Sequence, residues 1–272
     1  MCKLLSAAGL ASFRRKGYLC PLRGLSEDEA GTTLAALEDF ERRHGGFGKR
    51  LRFKAHLRLG ALMEVARNPV ILDAVEDLIG PNILLFTSTL WPKDGGDGRF
   101  VSWHQDSAYF GLDPHEEVTA WVAFTASNRE NGCVRVMPGS HLEADYSHEE
   151  THEPNNLLIR GQTIRGLDEA KAVDLELRPG EFSLHQERTV HGSLPNPSAM
   201  RRIGYALFFI PTHVRSTLGR RNALLVRGRD DYGHWDADPM ARFDDDPLID
   251  AFISQTFQRY RDQEPGTAGA PS

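Results

Sequence analysis

A chain of 272 residues, 40% apolar and 26% charged, has the size and composition of one large globular domain or two small ones, which excludes a fibrous or disordered protein. Its 32 basic residues against 38 acidic ones give a net charge of −6, so there is no overall basic footprint for nucleic acid. The three cysteines, Cys2, Cys20 and Cys133, are scattered and odd in number; they suggest neither a disulfide framework nor a zinc knuckle, and point to a reducing compartment, the cytoplasm.

Residues 1–13 are mildly apolar but short, and Arg14-Arg15-Lys16 ends them. A signal peptide carries its charge ahead of a longer apolar run, so an amphipathic first helix is the better reading. No stretch is apolar for long enough to span a membrane. Residues 17–22 read as a short strand. Ser26 and Glu29 form a capping box for a helix running to about Arg43, where Gly45-Gly46 stop it. Residues 60–66 and 69–79 are two further helices. Pro69 suits the first turn of the second, Gly80-Pro81 ends it, and Ile71, Leu72, Val75 and Leu78 share one face.

From Asn82 the period becomes that of strands. Residues 83–91 and 100–106 are strands joined by a glycine-rich turn over 92–99. Further strands fall at 118–125, 133–137, 173–177 and 202–210. Residues 181–186 and 189–194 are one bent strand or two short ones. The polar stretch 142–166 has no period and reads as a lid or a disordered loop. Residues 224–235 look irregular, 247–260 form a C-terminal helix, and 266–272 are a flexible tail. A dozen or so short strands behind a helical lead-in predict a mainly β fold with flanking helices, a double-sheet jelly roll. We expect a single domain over 1–265: lead-in 1–81, core 82–212, and C-terminal segment with helix 213–265.

The stretch Trp103-His104-Gln105-Asp106 carries the chemistry. On a strand, His104 and Asp106 point to one face, so an imidazole and a carboxylate reach one metal ion from the same side. With a second histidine and open positions they make a facial triad suited to Fe(II). Alone, His-x-Asp is equally a surface ion pair. His191, His185 and His141 compete for the third place. Ser193 lies two residues beyond His191 on the same face, and the turn at 196–198 lets Arg202 return beside that strand, where a fixed cation can hold an acidic co-substrate. His185 has no such companions and reads as a buried, hydrogen-bonded histidine; His141 closes a turn. Arg201 and Arg202 face opposite ways, so one of them points inward. Trp103 and Trp121 read as core residues.

These stretches, with Trp121-Val-Ala-Phe124, Asn131-Gly-Cys133, Met137-Pro-Gly-Ser-His141, Gly180-Glu181, Asn196 and Ser198, resemble the phytanoyl-CoA dioxygenase family. So do Phe53-Lys-Ala-His56-Leu and Val226-Arg-Gly-Arg-Asp230. The resemblance implies a double-stranded β-helix core of cupin-like type, Fe(II), and 2-oxoglutarate and O2 as co-substrates. It places His104, Asp106 and His191 on the iron, Arg202 on the distal carboxylate of 2-oxoglutarate and Ser193 as its helper. Candidate co-substrate contacts also include Thr89 and Trp91, from the region 87–91, and Trp121. The implied reaction oxidises a substrate C–H and releases succinate and CO2; because Asp106 is present, hydroxylation is favoured over halogenation. The substrate reads as a small molecule. An anionic group on it would meet Lys54, His56, Arg160 or Arg215, with Tyr109 and Phe110 lining the pocket; for any one of these the plain alternative is packing or a solvated surface. The other class is a non-catalytic jelly-roll binding protein, which needs no open iron site.

Overall fold

The computed structural model describes residues 2–47, 50–143, 146–151, 153–158 and 161–262. The predicted tail at 266–272 and Arg160 lie outside them. Two sheets face each other. The larger has seven strands in the order Tyr18–Arg23, Glu181–Gln186, Val118–Ala123, Arg202–Pro211, Ile83–Lys93, Asn222–Arg227 and Asp236–Ala237. The smaller has four: Val101–His104, His191–Ser193, Val134–Val136 and Val173–Leu175. All these pairings are antiparallel except that of Asn222–Arg227 with Asp236–Ala237. The arrangement is the expected jelly-roll core, with no closed barrel.

The helices cover one face of the large sheet. Helix Glu27–His44 starts at Ser26, whose hydroxyl accepts from Glu29 N while the Glu29 carboxylate accepts from Ser26 N, and it ends at Gly45 with φ 67°. Helices Gly60–Ala66 and Pro69–Ile79 follow the predicted bounds. Leu37, Phe40, Leu62, Ile71 and Val75 from these helices pack on Leu85, Val122, Phe182, Tyr205 and Phe209 of the sheet. The opposite face of that sheet carries Trp121, Ala206, Phe208 and Ile210 against Val134, Val136 and Leu175 of the small sheet. Both faces of the long strands are therefore buried, which explains why their sequences run nearly continuously apolar.

A bulge sets which residues reach the interior. Thr87 pairs with Phe208 but Leu85 pairs with Phe209, so Phe86 is an extra residue on its strand. Beyond it the parity is reset. Thr89, Trp91 and Lys93 pair with Ala206, Gly204 and Arg202, and face the space between the sheets.

The structure refines the reading at three places. The choice between one bent strand and two short ones over 181–194 resolves as two, Glu181–Gln186 in the large sheet and His191–Ser193 in the small one. The stretch read as irregular from 224 holds a six-residue strand, Asn222–Arg227, paired to Ile83–Lys93; its charged residues had hidden the alternation. The stretch 142–166 has a small ladder, Glu149–Glu150 with Gln162–Thr163, and lies against the His104 strand: Leu157 N donates to Phe100 O and Ile164 N to Trp103 O, both at 2.8 Å. Its partners are far away in sequence, so no local period reveals it.

Candidate active site

The strand ends at His104, two residues short of the expected end at Asp106. Asp106 already has helical angles, φ −64° and ψ −30°, and opens the short helix Ser107–Phe110. The two side chains meet because the chain turns, and the same-face argument from the sequence is corrected to that extent. His191 sits directly across from His104 in the ladder. His104 Nε2 is 3.4 Å and His191 Nε2 3.9 Å from the Asp106 carboxylate, and one donor atom from each of the three residues lies within 4.8 Å of the others.

The backbone fixes what these rings offer. His104 Nδ1 lies 2.9 Å from Ser102 O and His191 Nδ1 3.0 Å from Thr189 O. A carbonyl only accepts, so both Nδ1 atoms carry the proton and both Nε2 lone pairs face the shared point. Burial, followed by the neighbouring His104, keeps His191 well below the usual histidine range. Burial alone would raise Asp106, yet His191 and His104 beside it hold it at about 2. Two imidazoles presenting Nε2 and one carboxylate, converging and nearly sealed from water, fit a divalent metal with open positions.

His185 is buried in the large sheet with its ring 4.5 Å from that of His191. It is not among the three converging donors. Burial pushes it down to about 4. His141 is turned elsewhere, to Arg14 O at 3.1 Å. Gln105, between the two ligand candidates, donates from Nε2 to Arg188 O at 2.7 Å, accepts Tyr146 N on Oε1 at 3.1 Å, and bonds through its own N–H to His148 Nε2 at 3.0 Å.

A second pole lies beside the first. Arg202 is 1% exposed, and its guanidinium lies over the Trp121 ring at 5.2 Å. Among the described residues it meets no carboxylate within ion-pair reach, and its buried Nε has no acceptor. Arg201, on the other face, is taken up by Glu41 and Asp94. Next to Arg202, Lys93 Nζ donates to Ser193 Oγ at 2.7 Å. Thr89 Oγ1 donates to Arg52 O at 3.1 Å, and the Arg52 guanidinium stacks on Trp91 at 4.2 Å.

Sequence reasoning missed Lys93 and Arg52. Lys93 had been assigned to a turn; extending the alternation from Trp91 by two residues would have placed it inside. It also missed the chain from Asp106 Oδ2 to Thr119 Oγ1, 3.5 Å, and on to the buried Glu117, 2.8 Å.

The residues suggested for substrate are divided. Tyr109 packs edge-on to His104, ring centroids 5.9 Å apart, and Phe110 contacts Phe86 and Phe208. Lys54 is buried and paired with Asp238 at 2.6 Å, and His56 bonds Ser88 Oγ at 2.8 Å. Arg215 is on the surface, bonded to Asp113.

A jelly roll carrying a two-histidine, one-carboxylate centre beside a buried arginine defines a non-haem Fe(II)/2-oxoglutarate-dependent dioxygenase. Comparison with known proteins agrees. The family model for phytanoyl-CoA dioxygenase (PhyH) matches residues 13–204, and the chain belongs to that family. A curated relative from Stutzerimonas stutzeri, named as a probable alpha-ketoglutarate-dependent hypophosphite dioxygenase, is 33% identical over 199 residues, covering 70% of this chain and 69% of that one. Among solved structures, the apo form of the non-heme monooxygenase ThoJ superposes with a TM-score of 0.83 at 30% identity, covering 95% of this chain and 98% of that one. CytC3 with Fe(II) and alpha-ketoglutarate has a TM-score of 0.64 at 26% identity, over 88% and 93%. The chain spans at most about half the length of several other curated relatives it matches, such as the human peroxisomal phytanoyl-CoA dioxygenase at 39%.

Proposed function

We propose that this protein hydroxylates an unactivated C–H bond of a small molecule, with release of succinate and CO2. His104, Asp106 and His191 hold Fe(II), and Arg202 and Ser193 bind the distal carboxylate of 2-oxoglutarate. The observation that carries this reading is Arg202: a buried guanidinium with no carboxylate partner among the described residues, on the same interior as the three converging donors. Burying a charge without a counter-ion is costly, and a dicarboxylic co-substrate supplies the missing anion. A passive binding fold has no need of both features.

The bound iron with its co-substrates supplies the oxidising power; this chain's residues bind, orient and exclude water. Asp106 would give the metal a carboxylate, which favours hydroxylation over halogenation. Trp121 and Thr89 flank the co-substrate, while Tyr109 lies edge-on to His104 and Phe110, next in sequence, packs on Phe86 and Phe208. An anionic group on the substrate is the finer reading. It is supported by the hypophosphite named for the Stutzerimonas stutzeri relative. A reducing cytoplasm suits the three free cysteines.

The test is succinate formation from 2-oxoglutarate with Fe(II) and a panel of candidate substrates. His191→Ala abolishes it while the fold persists, and His185→Ala retains at least part. The reverse pattern would overturn the ligand assignment. Arg202→Ala raises the KM for 2-oxoglutarate by an amount on the order of 2–5 kcal/mol, much of it the cost of stranding the carboxylate.

A further inference from the structure

Arg52 stands between the two sheets with its charge uncompensated. Its backbone is docked on the long strand Ile83–Lys93, where Leu90 N donates to Leu51 O at 2.8 Å and Thr89 Oγ1 to Arg52 O at 3.1 Å. Its guanidinium lies over the Trp91 ring, 4.2 Å from the centroid, and donates from Nη2 to Leu157 O at 3.0 Å. Leu157 N in turn donates to Phe100 O, and Asn156 Nδ2 to Ser102 Oγ at 2.9 Å, so this carbonyl is held on the strand that ends at His104. The guanidinium therefore bridges the wall made by the large sheet and the edge strand of the small one. Trp91 is opposite Gly204 in the ladder, and the Trp121 ring lies where a Cβ of Gly204 would be. The indole under Arg52 is thus a neighbour of the indole under Arg202. Among the described residues no carboxylate pairs with Arg52. The charge that reaches it is Arg99, another cation, whose own Nε is bonded to both oxygens of Asp97. Burial, and Arg99 after it, pull Arg52 down to about 10, so it is a cation at neutral pH. A half-buried guanidinium that is stacked on a ring and bonded to a neutral carbonyl is oriented without being neutralised.

We propose that Arg52 is the anion-selecting residue of the substrate site, pairing with a carboxylate or phosphonate at the end of the substrate away from the reacting C–H bond. This rests on the dioxygenase reading above and deepens it. The chemistry these anions share is a pair of oxygens that a guanidinium fork meets at two points. The Leu157 carbonyl and the Trp91 ring fix the plane of the fork in advance, and its other donors have no acceptor among the described residues. The other basic residues near the interior are committed: Lys54 to Asp238, Arg201 to Glu41 and Asp94, and Arg99 to Asp97. Arg202 is completely buried, whereas Arg52 keeps some exposure, which a ligand arriving from solvent requires. Two cations, each on its own indole, then sort two anions: Arg202 takes the co-substrate and Arg52 the substrate.

The experiment is proton NMR relaxation of acetate and methylphosphonate, with acetamide as the neutral probe, in the presence of protein loaded with Co(II) and saturated with 2-oxoglutarate. Paramagnetic Co(II) speeds the relaxation of methyl protons held near it, Zn(II)-loaded protein is the diamagnetic blank, and bound 2-oxoglutarate keeps the probes away from Arg202. The expected result is faster relaxation of both anions, but not of acetamide, with the wild type. Arg52→Met binds the anions roughly tenfold or more weakly, the loss of a hydrogen-bonded charge partner, and binds 2-oxoglutarate as the wild type does. Arg52→Lys, which keeps the charge without the fork, keeps a weaker preference for the anions over acetamide. No enhancement in the wild type, enhancement that survives in Arg52→Met, or an Arg52→Lys variant as blind to charge as Arg52→Met overturns the role of Arg52 and leaves the dioxygenase reading standing. Weakened 2-oxoglutarate binding by Arg52→Met puts the residue in the co-substrate pocket and overturns it in the same way. Failure of 2-oxoglutarate to bind the Co(II)-loaded wild type overturns both.

Discussion

Gly204 is the position on which Trp121 rests. A Cβ there would lie 1.8 Å from Trp121 Cζ2 and 2.1 Å from Cη2, so no other residue admits the ring in its present place. Since Arg202 lies over that ring, we expect Gly204→Ala to shift Trp121, raise the KM for 2-oxoglutarate, and lower stability by about 1–3 kcal/mol as in other overpacked cores. Kinetics and thermal unfolding on one preparation check both; a lost stability with an unchanged KM would detach Trp121 from the co-substrate. Nothing in the sequence marks Gly204, because its neighbour lies across the sheet. The convergence of His104, Asp106 and His191 was legible for the opposite reason: few residue types can ligate a metal, so each is conspicuous wherever it falls. Lys93 was hidden because the proline, aspartate and glycines around it read as a turn, whereas its strand runs on to Lys93.

Among the elements, those whose cause is local were readable and those held by distant partners were not. The capping box at Ser26, the proline start at Pro69 and the glycine stop at Gly45 fixed their helices. The end of the His104 strand, the Asn222–Arg227 strand and the layout of 146–164 depend on pairings remote in sequence. Gln105 shows the last case. It holds Tyr146 and His148 against the segment between the two ligand candidates. We expect Gln105→Ala to speed hydrogen exchange at the Tyr146 amide several-fold, the loss of one buried acceptor being worth about 1 kcal/mol. Unchanged protection there would show that the ladder at Glu149–Glu150 holds the stretch by itself.

In the whole molecule, the lead-in and the C-terminal segment are tied beneath the large sheet by one buried ion pair. Lys54, with a left-handed backbone (φ 49°), sends Nζ to Asp238 and to the carbonyls of Phe86 and Asn222. Asp238→Ala leaves that ammonium buried without its counter-ion and should cost about 3–5 kcal/mol in denaturant unfolding. Adding Lys54→Met should recover much of the loss; a single mutant within about 1 kcal/mol of wild type would show that water replaces the carboxylate. The jelly-roll frame was visible from strand count and spacing, but this tie was not, since charged residues from segments so far apart read as surface. The frame also settles what heredity has to guard. Each ligand histidine takes its tautomer from the main-chain carbonyl two residues behind it, and every amino acid possesses that carbonyl. The side chains at 102 and 189 serve other bonds, Ser102 to Gln162 and Thr189 to Gly17, and do not set the tautomers, whereas one inserted residue in either strand would move the carbonyls that do. The site is written in spacing as much as in letters, and a lineage can change its substrate by rewriting the surrounding loops while these two short pieces of strand pass on intact.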